Sequence, residues 1–222
     1  ETLMQLFAII ARPQSDDSER RGVVEAFLLH ILNQELTRKY LTIYDHEYSE
    51  ARKKLEKSTP EKREGSIAIR ITKLCKDINE QGQLDQEQRI VVVIQALEFC
   101  KSGIDGVSQL ELGFIRTLAE GLNISGTEYN SIEEFVLNPF THIPESSNLL
   151  IISGERETEL NGCRFVFREM LKGQIWILFI PSVSRYFIRY SAAGELTMNG
   201  QLLREDKVYP FSPGSSIKGN KI

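Results

Sequence analysis

The chain has 222 residues and a formal net charge of −4, with 41% apolar and 26% charged residues, as in water-soluble globular proteins. That length suits one large domain or two ordinary ones. Neither half of the chain is strongly basic, which argues against a nucleic-acid-binding domain, and no apolar run reaches the roughly 18 to 20 residues that span a bilayer.

The N-terminus and the cysteines indicate a reducing cytoplasm. The sequence begins Glu1-Thr2-Leu3-Met4, which lacks the basic region and the cleavage site of a signal peptide. Cys75, Cys100 and Cys163 are odd in number and lack metal-ligand spacing, so we expect neither a disulfide framework nor a cysteine metal site. The expected location is therefore cytoplasmic.

Apolar residues spaced three and four positions apart predict an all-α domain over residues 1–138. Ile90 to Cys100 is apolar at nearly every position, so we expect its helix to be the buried centre of that domain. The mixed-charge stretch 45–64 is expected to be a solvated helix face or a linker. Six helices are predicted: residues 3–11, from Ser18 toward Tyr44, from Pro60 to Gly82, from Asp85 to Cys100, from Ser108 to Gly121, and from Glu128 to about Val136.

One turn in this half carries acidic side chains at a helix N-terminus. Asp105-Gly106 suits a tight turn, and Ser108 with Glu111 three residues later is a capping-box pattern, in which each side chain bonds the other residue's backbone N–H. In one interpretation, Asp105 stabilises the turn and Glu111 completes the cap. In the other, both carboxylates bind a hard cation, Ca2+ or Mg2+, because these ions prefer oxygen ligands.

The segment around this turn resembles the TerB-like helical domain of tellurite-resistance proteins. The resemblance is carried by Phe99-Cys100-Lys101, Ile104-Asp105-Gly106-Val107-Ser108, Glu111, Phe114-Ile115, and Leu122 with Tyr129. It implies a TerB-like fold for residues 1–138. It also implies a divalent-cation-binding role, linked to metal (tellurite) stress, with Asp105 and Glu111 as the metal-binding residues.

From Asn138 onward the pattern changes from helices to short strands. Residues 139–148 contain two prolines and several turn formers, and are predicted to be a linker. The short apolar runs that follow predict an antiparallel β-sandwich over residues 149–222, and with it an α+β protein of two domains. The strands are predicted at 149–152, 163–168, 175–180, 186–190, 196–198 and 201–203, and the core at Phe165, Phe167, Trp176, Phe179, Phe187 and Tyr209.

Asn199-Gly200 lies between two apolar runs, which is the pattern of a β-hairpin with a type I′ turn. With Gly194-Glu195-Leu196 before it and Ser212-Pro213-Gly214-Ser215-Ser216-Ile217 after it, the pair gives the C-terminal stretch a resemblance to forkhead-associated (FHA) domains. The resemblance implies an FHA-like sandwich that binds a phosphopeptide, with Asn199 as a binding residue. That family also needs an early Gly-Arg and a Ser-x-x-His, and neither occurs in order here, so Asn199 as a turn residue is the other interpretation.

A TerB-like domain followed by an FHA-like domain resembles the N-terminal region of bacterial ABC-type transporter ATPases. This resemblance implies a non-catalytic accessory or regulatory module that acts by protein docking or sensing. The chain ends at Gly219-Asn220-Lys221-Ile222 in an expected last strand, so the sandwich is predicted to be truncated and the chain to be a fragment. A continuation beyond Ile222 would hold the ATPase and would place the module on the cytoplasmic side of the inner membrane.

The motifs of the sequence favour a protein that is not an enzyme. It has no Walker A pattern, and no nucleophile with a neighbouring base and orienting group stands out. The expected partners are other domains of the same polypeptide or other proteins, with no nucleic acid and no direct membrane insertion. Two alternatives stay open: a divalent-cation-binding TerB-like module and a phosphopeptide-binding FHA adaptor.

Overall fold

A computed structural model describes residues 2–10, 21–22, 24–26, 28–29, 32–56, 60–82, 84–102, 106–155, 162–192 and 194–219. The chain divides into two compact units, Glu1–Gly126 and Thr127–Ile222. We call the first the helical unit and the second the sheet unit, and describe each by itself. The mixed α+β class predicted from the sequence is confirmed.

The described residues of the helical unit are mostly α-helical. Residues 21, 22, 24–26, 28 and 29 are helical, in addition to five longer helices. These are α1 (Thr2–Ile10), α2 (Gln34–Glu56), α3 (Pro60–Gln81), α4 (Gln86–Lys101) and α5 (Gln109–Gly121).

The core of the helical unit has two buried helices, where the sequence predicted one. In α4, Ile90, Val93, Ile94 and every residue from Ala96 to Cys100 are buried, as expected. The shorter α1 is buried on every side, since all its residues from Leu6 to Ile10 are buried. It contacts α2, α3 and α4. A helix that packs against three others must be apolar all round, which is why its apolar residues do not follow a single face.

The helix predicted from Ser18 is present at the described residues between 21 and 29, but its continuation toward Tyr44 is wrong, because the chain leaves the helical conformation at Leu32 and Asn33. The Asn33 side chain accepts a hydrogen bond from the Leu36 N–H at 2.9 Å and so caps a new helix, α2. That helix continues to Glu56. Most of the mixed-charge stretch 45–64 is therefore helical, with charged side chains on its exposed face.

Side chains from α3 and α4 bind the carbonyl end of α5. Asn79 Nδ2 donates to the Gly121 oxygen at 2.9 Å, and Arg89 Nη1 donates to the Leu122 oxygen at 3.2 Å. These oxygens belong to the end of a helix, where backbone carbonyls lack intrahelical partners. The bonds therefore stabilise α5 and fix its position in the helical unit.

The sheet unit contains one α-helix and eight strands among its described residues. The helix is α6 (Gly126–Leu137), and the strands are β1 (Leu149–Ser153), β2 (Arg164–Phe167), β3 (Gly173–Ile180), β4 (Arg185–Ala192), β5 (Leu196–Met198), β6 (Gln201–Leu202), β7 (Tyr209–Phe211) and β8 (Ile217–Gly219). The sequence predicts α6 as the last helix of the all-α domain. In the structure, α6 is held to strands by hydrogen bonds from β4 and from the turn between β3 and β4.

The strands form two sheets that share one core. A five-stranded sheet has the order β2-β1-β3-β4-β7, and a three-stranded sheet has the order β6-β5-β8. Ile175, Ile177 and Ile188 from the larger sheet pack with Leu196 and Leu203 in one buried cluster. This arrangement is a sandwich, as predicted. The prediction that every pair is antiparallel is wrong, because β1 and β2 run parallel.

The predicted aromatic core is correct at its centre and wrong at its edge. Trp176 and Phe187 are buried on the two middle strands, β3 and β4. Phe165, Phe179 and Tyr209 are half-buried, while Phe167 is exposed. Phe167 is the last residue of β2, an edge strand with no neighbour on its outer side among the described residues.

In the helical unit, two glycines of α5 provide a matched test of how closely α3 packs against α5. A Cβ at Gly121 would lie 2.7 Å from Cys75 Sγ, whereas a Cβ at Gly113 would meet nothing within 4 Å. We predict that Gly121→Ala lowers the free energy of unfolding by about 1–3 kcal/mol, through overpacking. Gly113→Ala should raise it by about 0.5–1 kcal/mol, because alanine favours the helix. Urea denaturation of both variants measures the two values, and changes of the same sign would refute the close approach of α3 and α5.

Candidate functional site

Glu111 forms a complete capping box with Ser108 at the start of α5. The Ser108 N–H donates to Glu111 Oε2 at 2.9 Å, and the Ser108 hydroxyl donates to the same oxygen at 2.8 Å. In return, the Glu111 N–H donates to Ser108 Oγ at 3.2 Å. Gly106, before the cap, has a positive φ of 68°, which glycine adopts without strain. The cap predicted from the sequence is therefore confirmed.

The environment of Glu111 suits a structural carboxylate. Glu111 is only 1% exposed, and its charge lies at the positive end of the helix dipole. Asp105, the other predicted ligand, lies outside the described residues. The described residues contain no group of three or more His, Cys, Asp or Glu side chains able to hold a metal ion. Cation binding at Asp105 and Glu111 stays a hypothesis.

Asn199 is part of an internal turn. Asn199 and Gly200 have positive φ values of 53° and 83°, as a type I′ turn requires. The Asn199 side chain accepts from the Ser216 N–H at 2.9 Å and donates to Ser215 Oγ at 3.2 Å. Its amide therefore holds the loop before β8. The turn interpretation is confirmed, and a contact with a peptide ligand stays a hypothesis.

Two loop positions of the sheet unit, Gly154 and Ser184, also serve the fold. Gly154 lets the chain pass very close to a neighbouring carbonyl, because a Cβ there would lie 1.6 Å from the Leu171 oxygen. Ser184 ends a short 3-10 turn with a φ of 49°.

Arg189 is a buried charged residue that the sequence did not predict. It lies in β4 and is 1% exposed. Its Nη1 donates to the Phe135 oxygen at 2.5 Å and its Nη2 to the Asn138 oxygen at 2.8 Å, both at the C-terminal end of α6. Its Nε donates to Asp206 Oδ1 at 2.6 Å. The guanidinium therefore connects three separate segments of the sheet unit.

Aromatic rings complete the Arg189 environment. The guanidinium carbon lies 4.5 Å from the centre of the Phe140 ring and 5.7 Å from that of Trp176. The two rings contact each other, with centres 4.9 Å apart. Trp176 is also the cross-strand neighbour of Arg189 in the β3–β4 pairing. The sequence contains one indication of this buried charge: in the strand RYFIRYSA, Arg189 lies between apolar residues at a position that faces the interior.

A short turn after β2 exposes large apolar side chains. Phe167 is 36% exposed and Met170 is 60% exposed, and Arg168 and Glu169 between them are exposed as well. We call residues 167–170 the β2 turn. The turn is held firmly: the Arg168 N–H donates to the Ser153 oxygen at 2.8 Å, and the Leu171 N–H donates to the Arg168 oxygen at 2.9 Å.

The three cysteines are free and buried. Burial raises the pKa of the Cys75 thiol to about 11, with a smaller opposing effect from Arg89. Burial also raises the pKa of the Cys163 thiol, which donates to the Pro144 oxygen at 3.1 Å. A raised pKa reduces the thiolate fraction and so the nucleophilicity. Cys75 and Cys163 are therefore packing residues.

None of the described helices is both long enough and apolar enough to cross a bilayer. Comparison of the chain with protein-family models, with curated proteins and with solved structures found no match.

The capping role of Glu111 predicts a stability effect that does not depend on metal. Glu111→Ala should lower the free energy of unfolding by about 1–2 kcal/mol, because it leaves the Ser108 N–H without its acceptor. The loss should be the same in EDTA and in millimolar Ca2+ or Mg2+. Glu120→Ala, at an exposed position of the same helix, should change it by less than about 0.5 kcal/mol. Stabilisation of the wild type by a cation, lost in Glu111→Ala, would establish the cation site instead.

The raised pKa of Cys75 predicts slow thiol chemistry. At pH 8 only about one Cys75 thiol in a thousand is ionised if its pKa is about 11. A disulfide reagent should therefore label Cys75 slowly in the native protein and rapidly in denaturant, and mass spectrometry of the labelled peptide measures both rates. Equal rates in the two states would show that Cys75 is an accessible, reactive thiol.

Proposed function

We propose that this chain is a non-catalytic accessory module that docks onto a protein partner. The observation that carries the proposal is the β2 turn, which places Phe167 and Met170 in solvent on a firmly held backbone. Large exposed apolar side chains beside each other are a common feature of protein-binding surfaces. The partner that fits this turn is a protein with an apolar groove bordered by carboxylates.

The backbone that carries the turn supports docking with little loss of entropy. The Leu171 side chain is buried in the sandwich core, and its carbonyl oxygen lies against the Cα of Gly154, where no other residue would fit. The Gly154 N–H donates to the Gly173 oxygen at 3.2 Å. Because both ends of the turn are fixed, a partner would order mainly the two side chains, which lowers the cost of binding.

Charge around the turn supports an acidic partner surface. Arg164, Arg168 and Lys172 are exposed at intervals of four residues, and Glu169 is the acidic residue among them. This stretch therefore carries a formal charge of +2 in a chain whose net charge is −4. Complementary charge speeds the encounter of two proteins and fixes their orientation, so carboxylates on the partner would select this turn over other surfaces.

The groups on which the two alternative functions depend are already used by the fold. The Glu111 carboxylate accepts hydrogen bonds from Ser108, and the Asn199 amide holds Ser215 and Ser216. A cation at Glu111 or a peptide at Asn199 would have to compete with these bonds. Docking through the β2 turn would use Met170, whose side chain is 60% exposed, and this difference favours it.

The identity of the partner follows from the resemblance found in the sequence. A TerB-like module followed by an FHA-like sandwich is similar to the N-terminal region of bacterial ABC-type transporter ATPases. On that basis we propose that the module works in the cytoplasm and docks onto a component of such a transporter, either within the same polypeptide or on another subunit.

Site-specific crosslinking tests the docking surface. A photoreactive phenylalanine analogue placed at Met170, in the cells that make the protein, should crosslink one partner. The same analogue at Leu202, which is 58% exposed on the same unit, should not. With the purified partner, Met170→Asp and Arg168→Glu should each weaken binding at least tenfold, or about 1.4 kcal/mol, while Leu202→Asp leaves it unchanged.

Two results would contradict the proposal. Equal crosslinking at positions 170 and 202 would show that the β2 turn is not a selective surface. A partner whose affinity does not change in Met170→Asp or Arg168→Glu would show that it binds elsewhere. Thermal melting of each variant is the control, since these exposed positions should leave the unfolding temperature within about 2 °C of the wild type.

A further inference from the structure

We propose that Asp206, on the surface turn between β6 and β7, controls how firmly the C-terminal end of α6 is held on the sheet. It does so through Arg189. The chain thus contains a built-in connection between an exposed turn and the helix that covalently joins the sheet unit to the helical unit. This inference is independent of the docking function proposed above.

The turn that carries Asp206 is fixed to the sheet. The Asp206 N–H donates to the Tyr190 oxygen at 2.8 Å, and Asp206 has a positive φ of 59°. The Arg204 N–H donates to the Tyr209 hydroxyl at 2.8 Å. These bonds hold the Asp206 carboxylate beside β4, next to Arg189.

The shape of the guanidinium links the two ends of the contact. Asp206 Oδ1 accepts from Arg189 Nε at 2.6 Å and also pairs with Nη2, so it holds one edge of the planar group. The remaining N–H groups then point in fixed directions. These N–H groups donate to the Phe135 oxygen in α6 and to the Asn138 oxygen directly after it. Loss of the carboxylate would leave the plane of the guanidinium free to rotate and would lengthen both bonds to the helix.

Asp206 is the point at which solvent reaches this contact. Its side chain is 45% exposed, whereas that of Arg189 is 1% exposed. A cationic group from a partner could therefore bind the Asp206 carboxylate without entering the protein interior. By competing with Arg189, such a group would loosen the end of α6 through a change made at the surface.

Neighbouring Glu205 offers a matched control. Its carboxylate accepts from the Ser191 hydroxyl at 2.7 Å, so it too is a carboxylate of the same turn that bonds to β4. The two carboxylates differ in their partners: Glu205 bonds to a surface hydroxyl, whereas Asp206 bonds to the buried guanidinium of Arg189. Glu205→Gln therefore changes the charge of the turn and tests whether charge loss alone affects α6.

Amide hydrogen exchange measures the coupling. In Asp206→Ala, we expect exchange at Asn138, whose N–H donates to the Glu134 oxygen, and at the last turn of α6 to be at least tenfold faster than in the wild type. Amides of β3, such as Ile177, should exchange at the wild-type rate in the same sample. In Glu205→Gln, both sets should keep their wild-type rates.

The proposal fails if α6 and β3 accelerate equally in Asp206→Ala, since that would be a general loss of stability. It also fails if the end of α6 is unaffected. A double variant gives a second, independent test: adding Asp206→Ala to Arg189→Met should produce no further acceleration at α6 if Asp206 acts through Arg189. An equal further acceleration would show that it acts by another route. If Arg189→Met does not fold, the comparison of Asp206→Ala with Glu205→Gln still decides the question.

Discussion

The sheet unit depends on one buried cation, Arg189. Removing a charge from water costs several kcal/mol even after the protein relaxes, so a buried arginine is stable only where its N–H groups all find acceptors. Here the acceptors come from Asp206 and from two backbone carbonyls at the end of α6, and two aromatic rings flank the guanidinium. The same bonds that offset the cost of burial also fix α6 to the larger sheet.

The burial of Arg189 determines which element packs on each face of the five-stranded sheet. One face of the sheet meets the smaller sheet through Ile175, Ile177 and Ile188. The other face carries Trp176 and Arg189, which meet Phe140 and the end of α6. At the other end of α6, Glu128 accepts from the Ser182 N–H at 2.9 Å. The helix is therefore held at both ends and is an integral layer of this unit.

Much of the fold could be predicted because its signals are local. A capping box needs only Ser108 and Glu111, three residues apart, and a type I′ hairpin needs only Asn199-Gly200; both formed as predicted. Two features that were not predicted depend on distant residues. The parallel pairing of β1 with β2 follows from where the chain returns to the sheet, and the burial of Arg189 depends on carbonyls of residues more than 50 positions away.

The candidate site shows the same division. Sequence motifs indicated Glu111 and Asn199 as candidate site residues. Glu111 bonds to Ser108 in the same helix cap, whereas the Asn199 side chain bonds to Ser215 and Ser216 in the loop before β8. The sequence pattern assigned Phe167 to the core, because an apolar residue in a predicted strand is usually buried. Only the sheet order shows that Phe167 ends an edge strand and faces solvent. A surface that acts by docking has no motif, so its residues emerge only once the neighbours of each strand are known.

The measurement that tests the central role of Arg189 most directly is the free energy of unfolding of Arg189→Lys. Lysine keeps the positive charge but has no planar fork, so it cannot reach Asp206, Phe135 and Asn138 together. We expect a loss of about 3–5 kcal/mol, as for a buried charged contact broken at one partner. A loss below about 1 kcal/mol would show that charge alone suffices at this position, and that the bonds from Arg189 do not hold α6 to the sheet.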